Sequence, residues 1–420
     1  MTYLAEVERT RAQSAVLELL AGAAAAAPDD LTAARRFAQA CMRSNNRQRA
    51  PGAWRNVVAA APDDATAWAA FATSLLEIGD VDGAVAAGEQ ALALAPDDAA
   101  VHAALGFALR TRGEQERADA VFERGFALDP TSPYLTRGVG QALIRRGDGA
   151  ALARHCEAAL ERMAPSGWLF AQYTIALALL GRRRTLATLL DYDRLLRRVH
   201  PEAPEGFDSL DSFHAALRAE QESLGAVPSR IAAADVVHGA FRLPGGLQGA
   251  IAARGEAGAP ASAALLRTFD AQQADYEQWL AASGEILQRR SKPSGTWLHS
   301  ETVITPRQGY VAPHTHACTW LSGVYYVDVP KGMVGKEGCV EFAPPGRKLP
   351  SGSDIWPVLT LKPEPGLLLL FPGYFYHHVH ATNAPGDRVV VTFDVKPTRE
   401  SRPRDLDPAL LRAAGLTDQE

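Results

Sequence analysis

No stretch of eighteen consecutive apolar residues occurs anywhere in the 420 residues. A helix needs about that many to cross a hydrocarbon core, so no membrane span is expected. Cysteine is scarce: Cys41, Cys156, Cys318 and Cys339 are scattered, with no paired framework and no CxxC, which suits a reducing cytoplasm rather than an oxidising compartment. There is no basic surplus either. With a formal net charge of -5, neither nucleic acid nor an anionic membrane surface is expected as a partner. The opening MTYLAEVERTRAQ is too polar for a secretory apolar region, and the run Ala21–Ala27 is too short and too rich in alanine, so a cytoplasmic protein is the expectation.

A length of 420 residues predicts two or three domains. Proline recurs at Pro28, Pro62, Pro96 and Pro130, each 34 residues after the last, with Pro165 following at 35. Glycine keeps the same interval at Gly79, Gly113, Gly147 and Gly181. Between these markers lie two segments of helical period, such as Asp64–Leu76 and Val81–Leu94, rich in alanine and leucine. Glycine fits the turn between the two helices, and proline closes the second and opens the next unit. The unit resembles the tetratricopeptide repeat, LEIGDVDGAVAAGEQALALAPDD being its best copy. Such units bury their apolar faces only against one another, so a solenoid of about five helix pairs is expected over residues 29–199 of an all-α domain spanning 1–199. Its concave groove is the natural place for a peptide or protein partner. A spacer or dimerisation surface is the alternative reading.

Residues 200–226 read as a linker and one helix, Asp211–Ser223. The stretch RLPGGLQGAIAARGEAGAPAS is expected to be loop on its glycine content, and Ala263–Leu287 returns to a helical period. Strands are expected from about Trp297, within a domain over 227–400, and the charged tail 401–420 is expected to be peripheral.

Of the eleven histidines, five fall in two tight groups, His314/His316 and His377/His378/His380. On a strand, residues two apart share a face, so His314 and His316 would converge on one point. The run Leu321–Val329 reads as a neighbouring strand, and the second histidine group follows the apolar run Leu367–Phe371 and a Pro372-Gly373 turn. Imidazole is the commonest protein ligand for iron, zinc, copper and nickel, so His-x-His plus a distant histidine makes a credible metal shell. His378 would face away from His377, and His299 reads as a hydrogen-bonded surface group. Arg388 opens the strand RVVVTF, on which Arg388, Val390 and Thr392 share a face. Its guanidinium suits a carboxylate held by two parallel hydrogen bonds, with the Thr392 hydroxyl adding another.

The ordered set HTHACTWLSGVYYV, LLLLFPGYFYHHV and GDRVVVTFD resembles the 2-oxoglutarate and iron(II)-dependent oxygenases. It is most similar to a bacterial subgroup carrying His-x-His, Ser-Gly-x-Tyr-Tyr, Phe-Pro with a late His, and Arg. The resemblance covers about Val227 to Lys396. It implies a double-stranded β-helix (jelly-roll) with supporting helices, and Fe(II), 2-oxoglutarate and O2 as reactants. It also implies His314 and His377 as metal ligands, Arg388 as the clamp on the far carboxylate of 2-oxoglutarate, and Tyr326 and Thr392 beside it. The departure is His316, where the general pattern has a carboxylate. Either three histidines hold the iron, or water or a remote carboxylate such as Glu341 completes the shell. The implied activity is hydroxylation of a peptide or protein side chain recruited by the repeats. Three alternatives stay open: a cupin-like three-histidine metalloenzyme without 2-oxoglutarate, a zinc or nickel site, and a non-enzymatic adaptor with an inactive barrel.

Overall fold

The computed structural model describes residues 3–398 except 28, 44–46, 164–165, 223–226, 229–236, 244–245, 284–287, 289–290, 317, 347–348 and 350–351. Pro28, Pro165, Leu287 and the tail 401–420 lie outside the described residues. Two compact units divide the chain near Gly147.

The first unit is helical: α1 (Tyr3–Ala26), α2 (Leu31–Arg43), α3 (Ala50–Ala60), α4 (Ala65–Ile78), α5 (Val81–Leu94), α6 (Ala99–Arg112), α7 (Gln115–Leu128) and α8 (Pro133–Arg146). The repeating Pro-Asp-Asp explains where helices start. Asp64 and Asp98 are N-caps whose carboxylates accept from the Ala67 and Ala100 amides, and Asp80 does the same for Gly83 at the second helix of its pair. Gly79 and Gly113 end α4 and α6 in the left-handed region, at φ 84° and 95°, the role the 34-residue interval implies. Other glycines serve packing. The Phe122 ring is fully buried between α6 and α8, and a Cβ at Gly138 would lie 2.3 Å from it, at Gly106 2.7 Å.

The second unit continues with α9 (Gly149–Arg162), α10 (Gly167–Leu179), α11 (Arg183–Leu189) and α12 (Tyr192–Leu195), then α13 (Leu210–Glu222), α14 (Gly246–Arg254) and α15 (Pro260–Ala282). Its strands are β1 (Arg197–Val199), β2 (Val227–Pro228), β3 (Val237–His238), β4 (Phe241–Leu243), β5 (Thr296–Thr305), β6 (Tyr310–His314), β7 (Leu321–Asp328), β8 (Val340–Phe342), β9 (Leu359–Leu361), β10 (Leu368–Pro372), β11 (His377–Val379) and β12 (Arg388–Pro397). They form an antiparallel seven-stranded sheet, β1-β10-β7-β12-β5-β4-β2, and a five-stranded sheet, β3-β6-β11-β8-β9. Counted from β5, the last eight strands run 6-3-8-1 in the larger sheet and 2-7-4-5 in the smaller. That interleaving is the double-stranded β-helix, and the fold is therefore a helical repeat array followed by a two-sheet barrel with supporting helices. Phe342 of the smaller sheet meets Phe371 of the larger at a centroid distance of 5.0 Å, so the sheets close on a shared interior.

Three expectations need correction. Residues 246–254, expected as loop, form α14: Gly246 is the first helical residue and Gly255 the stop, at φ 73°, while Leu247, Ala250 and Ile251 make a buried stripe at helical spacing. Strands do not wait for Trp297. The short β1 to β4 precede it, too brief to show an alternation, and β1 extends the larger sheet by pairing Val199 with Leu368 and Arg197 with Leu370. Third, β6 ends at His314, so His316 lies beyond the strand.

Helices α13 to α15 cover the outer face of the larger sheet, where Phe269 stacks on Phe393 at 4.3 Å between centroids. Gly323 makes that stack possible, because a Cβ there would stand 2.1 Å from the Phe393 ring. On the other side, the α12 residue Tyr192 packs its ring on Phe375 at 5.0 Å, and Tyr374 donates a 2.8 Å hydrogen bond to the Leu189 carbonyl. No helix among the described residues is long and apolar enough to cross a membrane.

Candidate metal centre

Strand pairing sets the site. His377 and His314 are register partners across β11 and β6, and His316 returns to them from the turn after β6, where its amide donates to the Gly373 carbonyl at 2.8 Å. The ring centroids of His314 and His377 are 4.3 Å apart, and His316 stands 5.2 Å from each. One ligand atom from each of the three lies within 4.8 Å of the others. The turn, rather than strand alternation, supplies the convergence of His314 and His316.

Each imidazole has its Nδ1 occupied. His314 Nδ1 lies 2.9 Å from the Ala312 carbonyl and His377 Nδ1 3.0 Å from the Phe375 carbonyl. Carbonyl oxygen only accepts, so both nitrogens carry the proton and Nε2 is left with its lone pair. His316 Nδ1 is 2.8 Å from Asp394 Oδ1, which imposes the same tautomer. Burial, reinforced by His316, pushes His314 down to about 3, and burial with the neighbouring histidines drives His377 well below its ordinary value. Two neutral donors therefore stand ready at physiological pH. Phe371, at 4.9 Å from His377, and Phe342, at 5.6 Å, wall the site with apolar rings.

Asp394 is the candidate site residue that sequence reasoning missed. Burial raises its carboxyl, but His316, Lys396 and Ser322 outweigh that and hold it well below the usual carboxylate range. Ser322 donates to its Oδ1 at 2.8 Å. A largely covered carboxylate thus stands one ring away from where a metal would sit, in the arrangement by which carboxylates orient and strengthen metal-binding histidines. The clue was the aspartate ending GDRVVVTFD. Its relevance depends on β12 lying beside β7, which no local pattern reports.

Glu341 does not complete this shell. It is the register partner of His378 on β8, and successive strand residues alternate faces, so it stands on the opposite side of the smaller sheet from His377. Trp320 belongs to the core, its Nε1 donating to the Gln288 carbonyl at 2.7 Å, and His299 Nε2 sits 3.4 Å from Glu301 Oε1.

Arg388 shares the inner face of β12 with Asp394, at the far end of the same strand. It is buried, and its guanidinium carbon lies 5.1 Å from the centroid of the Tyr326 ring. Burial raises the Tyr326 hydroxyl, with the Arg388 charge opposing. Thr305 is the register partner of Arg388 on β5. Arg388 Nε and Thr305 Oγ1 are buried without a hydrogen bond, and the Tyr326 hydroxyl has the Arg388 guanidinium as its polar neighbour. Unmatched buried polar atoms are uncommon, and a buried guanidinium with an open Nε and two hydroxyl-bearing neighbours offers a place for an anion. The Thr392 hydroxyl, by contrast, is engaged with the Glu301 carbonyl at 3.3 Å.

Residues 299–394, which run through the barrel, match the family model "Putative 2OG-Fe(II) oxygenase". Solved structures to which the chain is similar include MamA, at 16% identity and TM-score 0.31, covering 42% of this chain and 94% of that one. YrrB, a tetratricopeptide-repeat protein with an unusual peptide-binding site, is 18% identical with TM-score 0.34, covering 42% and 92%. A Pseudomonas putida prolyl-4-hydroxylase is 16% identical with TM-score 0.33, covering 51% and 99%. No curated protein matches the chain.

Proposed function

We propose that the barrel is an Fe(II)- and 2-oxoglutarate-dependent dioxygenase that hydroxylates a peptide or protein side chain recruited by the repeats. The observation that carries this is the pairing, on one interior, of three convergent imidazoles with a buried Arg388, its Nε open, at the other end of β12. His314, His316 and His377 would hold the iron through Nε2. Arg388, helped by Tyr326 and Thr305, would take the distal carboxylate of 2-oxoglutarate, and Thr392 would stiffen that strand. When bound, the iron supplies oxygen activation, with 2-oxoglutarate oxidised to succinate and carbon dioxide as the substrate C–H becomes C–OH. The chain's own part is to keep His314 and His377 neutral, fix the ring tautomers, hold a compensating anion at Asp394 and exclude water with Phe342 and Phe371.

A peptide or protein substrate is favoured because the attached array is of a class that presents grooves to extended chains. A cupin-like three-histidine oxygenase is the second reading, favoured by His316 standing where a carboxylate is usual; it leaves the Arg388 cluster without a task. Anaerobic addition of iron(II) and 2-oxoglutarate separates them. A weak visible charge-transfer band is expected, and its absence with iron bound and 2-oxoglutarate saturating would overturn the proposal. Arg388→Ala should raise the 2-oxoglutarate requirement steeply while sparing iron affinity. Equal loss of both would make Arg388 structural.

A further inference from the structure

The strand that carries His377 inward carries His378 outward, and the outer face holds a cluster the interior chemistry does not use. Glu341 is opposite His378 in register, and His380, two residues on, falls on the same face. Glu341 is buried to 8% exposure, while His378 and His380 are half-buried. One oxygen or nitrogen from each lies within 4.8 Å of the others.

The spacing is longer than that of tight hydrogen bonds and close to that of two ligands on one ion. His380 Nε2 is 3.4 Å from Glu341 Oε2, and His378 Nε2 is 3.7 Å from Oε1. A formed imidazole–carboxylate hydrogen bond would be about 2.8 Å. Two donors each about 2.1 Å from a tetrahedral ion stand about 3.4 Å apart. His378 Nδ1 is, besides, a buried atom without a hydrogen bond, and His380 Nε2 has only its long contact with Glu341. Glu341 Oε2 is occupied by the Lys336 ammonium and by Thr360 Oγ1, the latter at 2.6 Å. Lys336 reaches in from a largely exposed side chain, so a cation already sits against the carboxylate and can swing away.

We propose that Glu341, His378 and His380 form a second divalent-metal site of the zinc class on the outer face of the five-stranded sheet, with Lys336 as the cation a metal displaces. Two imidazoles and one carboxylate are borderline ligands that suit zinc over calcium or magnesium. The site stands whether or not the interior binds iron.

The test uses the full chain stripped of metal and titrated with Zn2+, following bound equivalents and affinity. Wild type should bind two equivalents. His314→Ala with His377→Ala should retain one, and Glu341→Gln with His380→Ala should also retain one. Binding of no zinc by the first pair, or an unchanged stoichiometry in the second, overturns the proposal. If the interior reading alone is wrong, wild type and the first pair both bind one equivalent. Should the second pair misfold, Lys336→Met decides: removing the competing ammonium should tighten zinc about tenfold, the size of one charge-assisted hydrogen bond. Unchanged or weaker affinity in that variant refutes the site.

Discussion

In the repeat unit each helix rests on its near neighbours in sequence: α4 lies on α5, α6 on α7, and Phe122 packs against Gly106 and Gly138, each 16 positions away. In the barrel unit the decisive contacts are long. His377 faces His314 from 63 positions on, and Asp394 meets His316 and Ser322 from 78 and 72 positions on. The first kind of order is additive, since a lost contact weakens one pair and its neighbours. The second is collective, because one register error moves every inward residue to the outer face. A ligand that stabilises the barrel should therefore act on it as a whole and leave the repeats untouched.

The largest expected effect tests that separation directly. At a metal concentration a hundred times the dissociation constant, iron(II) under anaerobic conditions should raise barrel stability by about 2.7 kcal/mol. His377→Ala should abolish both the increase and the oxidative activity. Calorimetry of wild type should show one metal-dependent and one metal-independent transition. A metal-induced shift common to both would mean that the two units unfold together and would break the contrast.

Next comes the converse perturbation. Gly138→Ala drives a Cβ into the buried Phe122 ring, and overpacking of this kind costs about 1–3 kcal/mol. The metal-independent transition should fall while iron affinity is preserved. A drop in iron affinity would show that the repeats support the site.

The same contrast decides what could be read from the chain. Additive order leaves a period: the 34-residue interval placed the helix turns at Gly79 and Gly113 because glycine is needed there at positive φ. Collective order leaves only motifs. Ser-Gly-x-Tyr-Tyr signalled a family, but its physical content came from the pairing: Ser322 bonds Asp394, Gly323 admits the Phe393 ring, Tyr325 meets His214, and Tyr326 lies under Arg388. His314, His316, His377 and Arg388 were visible as residue types at telling intervals. Asp394 and Thr305 were not, since an aspartate or threonine on a strand means nothing until the neighbouring strand is known. Helix α14 was obscured by counting its glycines without noting that two fall at its ends.

Asp394 also yields the third effect. Asp394→Asn keeps an acceptor for His316 Nδ1 but removes the compensating charge, so iron affinity should fall about 10–100-fold, or about 1.4–2.7 kcal/mol. Asp394→Leu removes the acceptor as well and should fall further. Equal affinities for wild type and the asparagine variant would show that orientation alone matters, and that the barrel's anion plays no electrostatic part.

The smallest effect concerns pH and a histidine outside the site. His214 Nε2 lies 2.8 Å from the Tyr325 hydroxyl between α13 and β7, and burial lowers its pKa, with Arg218 adding to that and Asp328 opposing it. The unfolded chain binds the proton more readily than the fold does. Stability from this group is therefore complete above about pH 6.5, the unfolded value, and is lost as pH falls below it toward the folded value. Each such group contributes at most about 1.4 kcal/mol per pH unit. His314 and His377 add slopes of the same sign in metal-free protein. His214→Gln retains a partner for Tyr325 and cannot titrate. Chemical denaturation of the metal-free protein at pH 7.5 and 5.5 should show the variant losing less of its barrel stability than wild type, with the repeat transition indifferent to the substitution. Identical losses would mean that His214 is protonated in the fold as easily as in the unfolded chain, and that the α13–β7 contact is wetter than its burial implies.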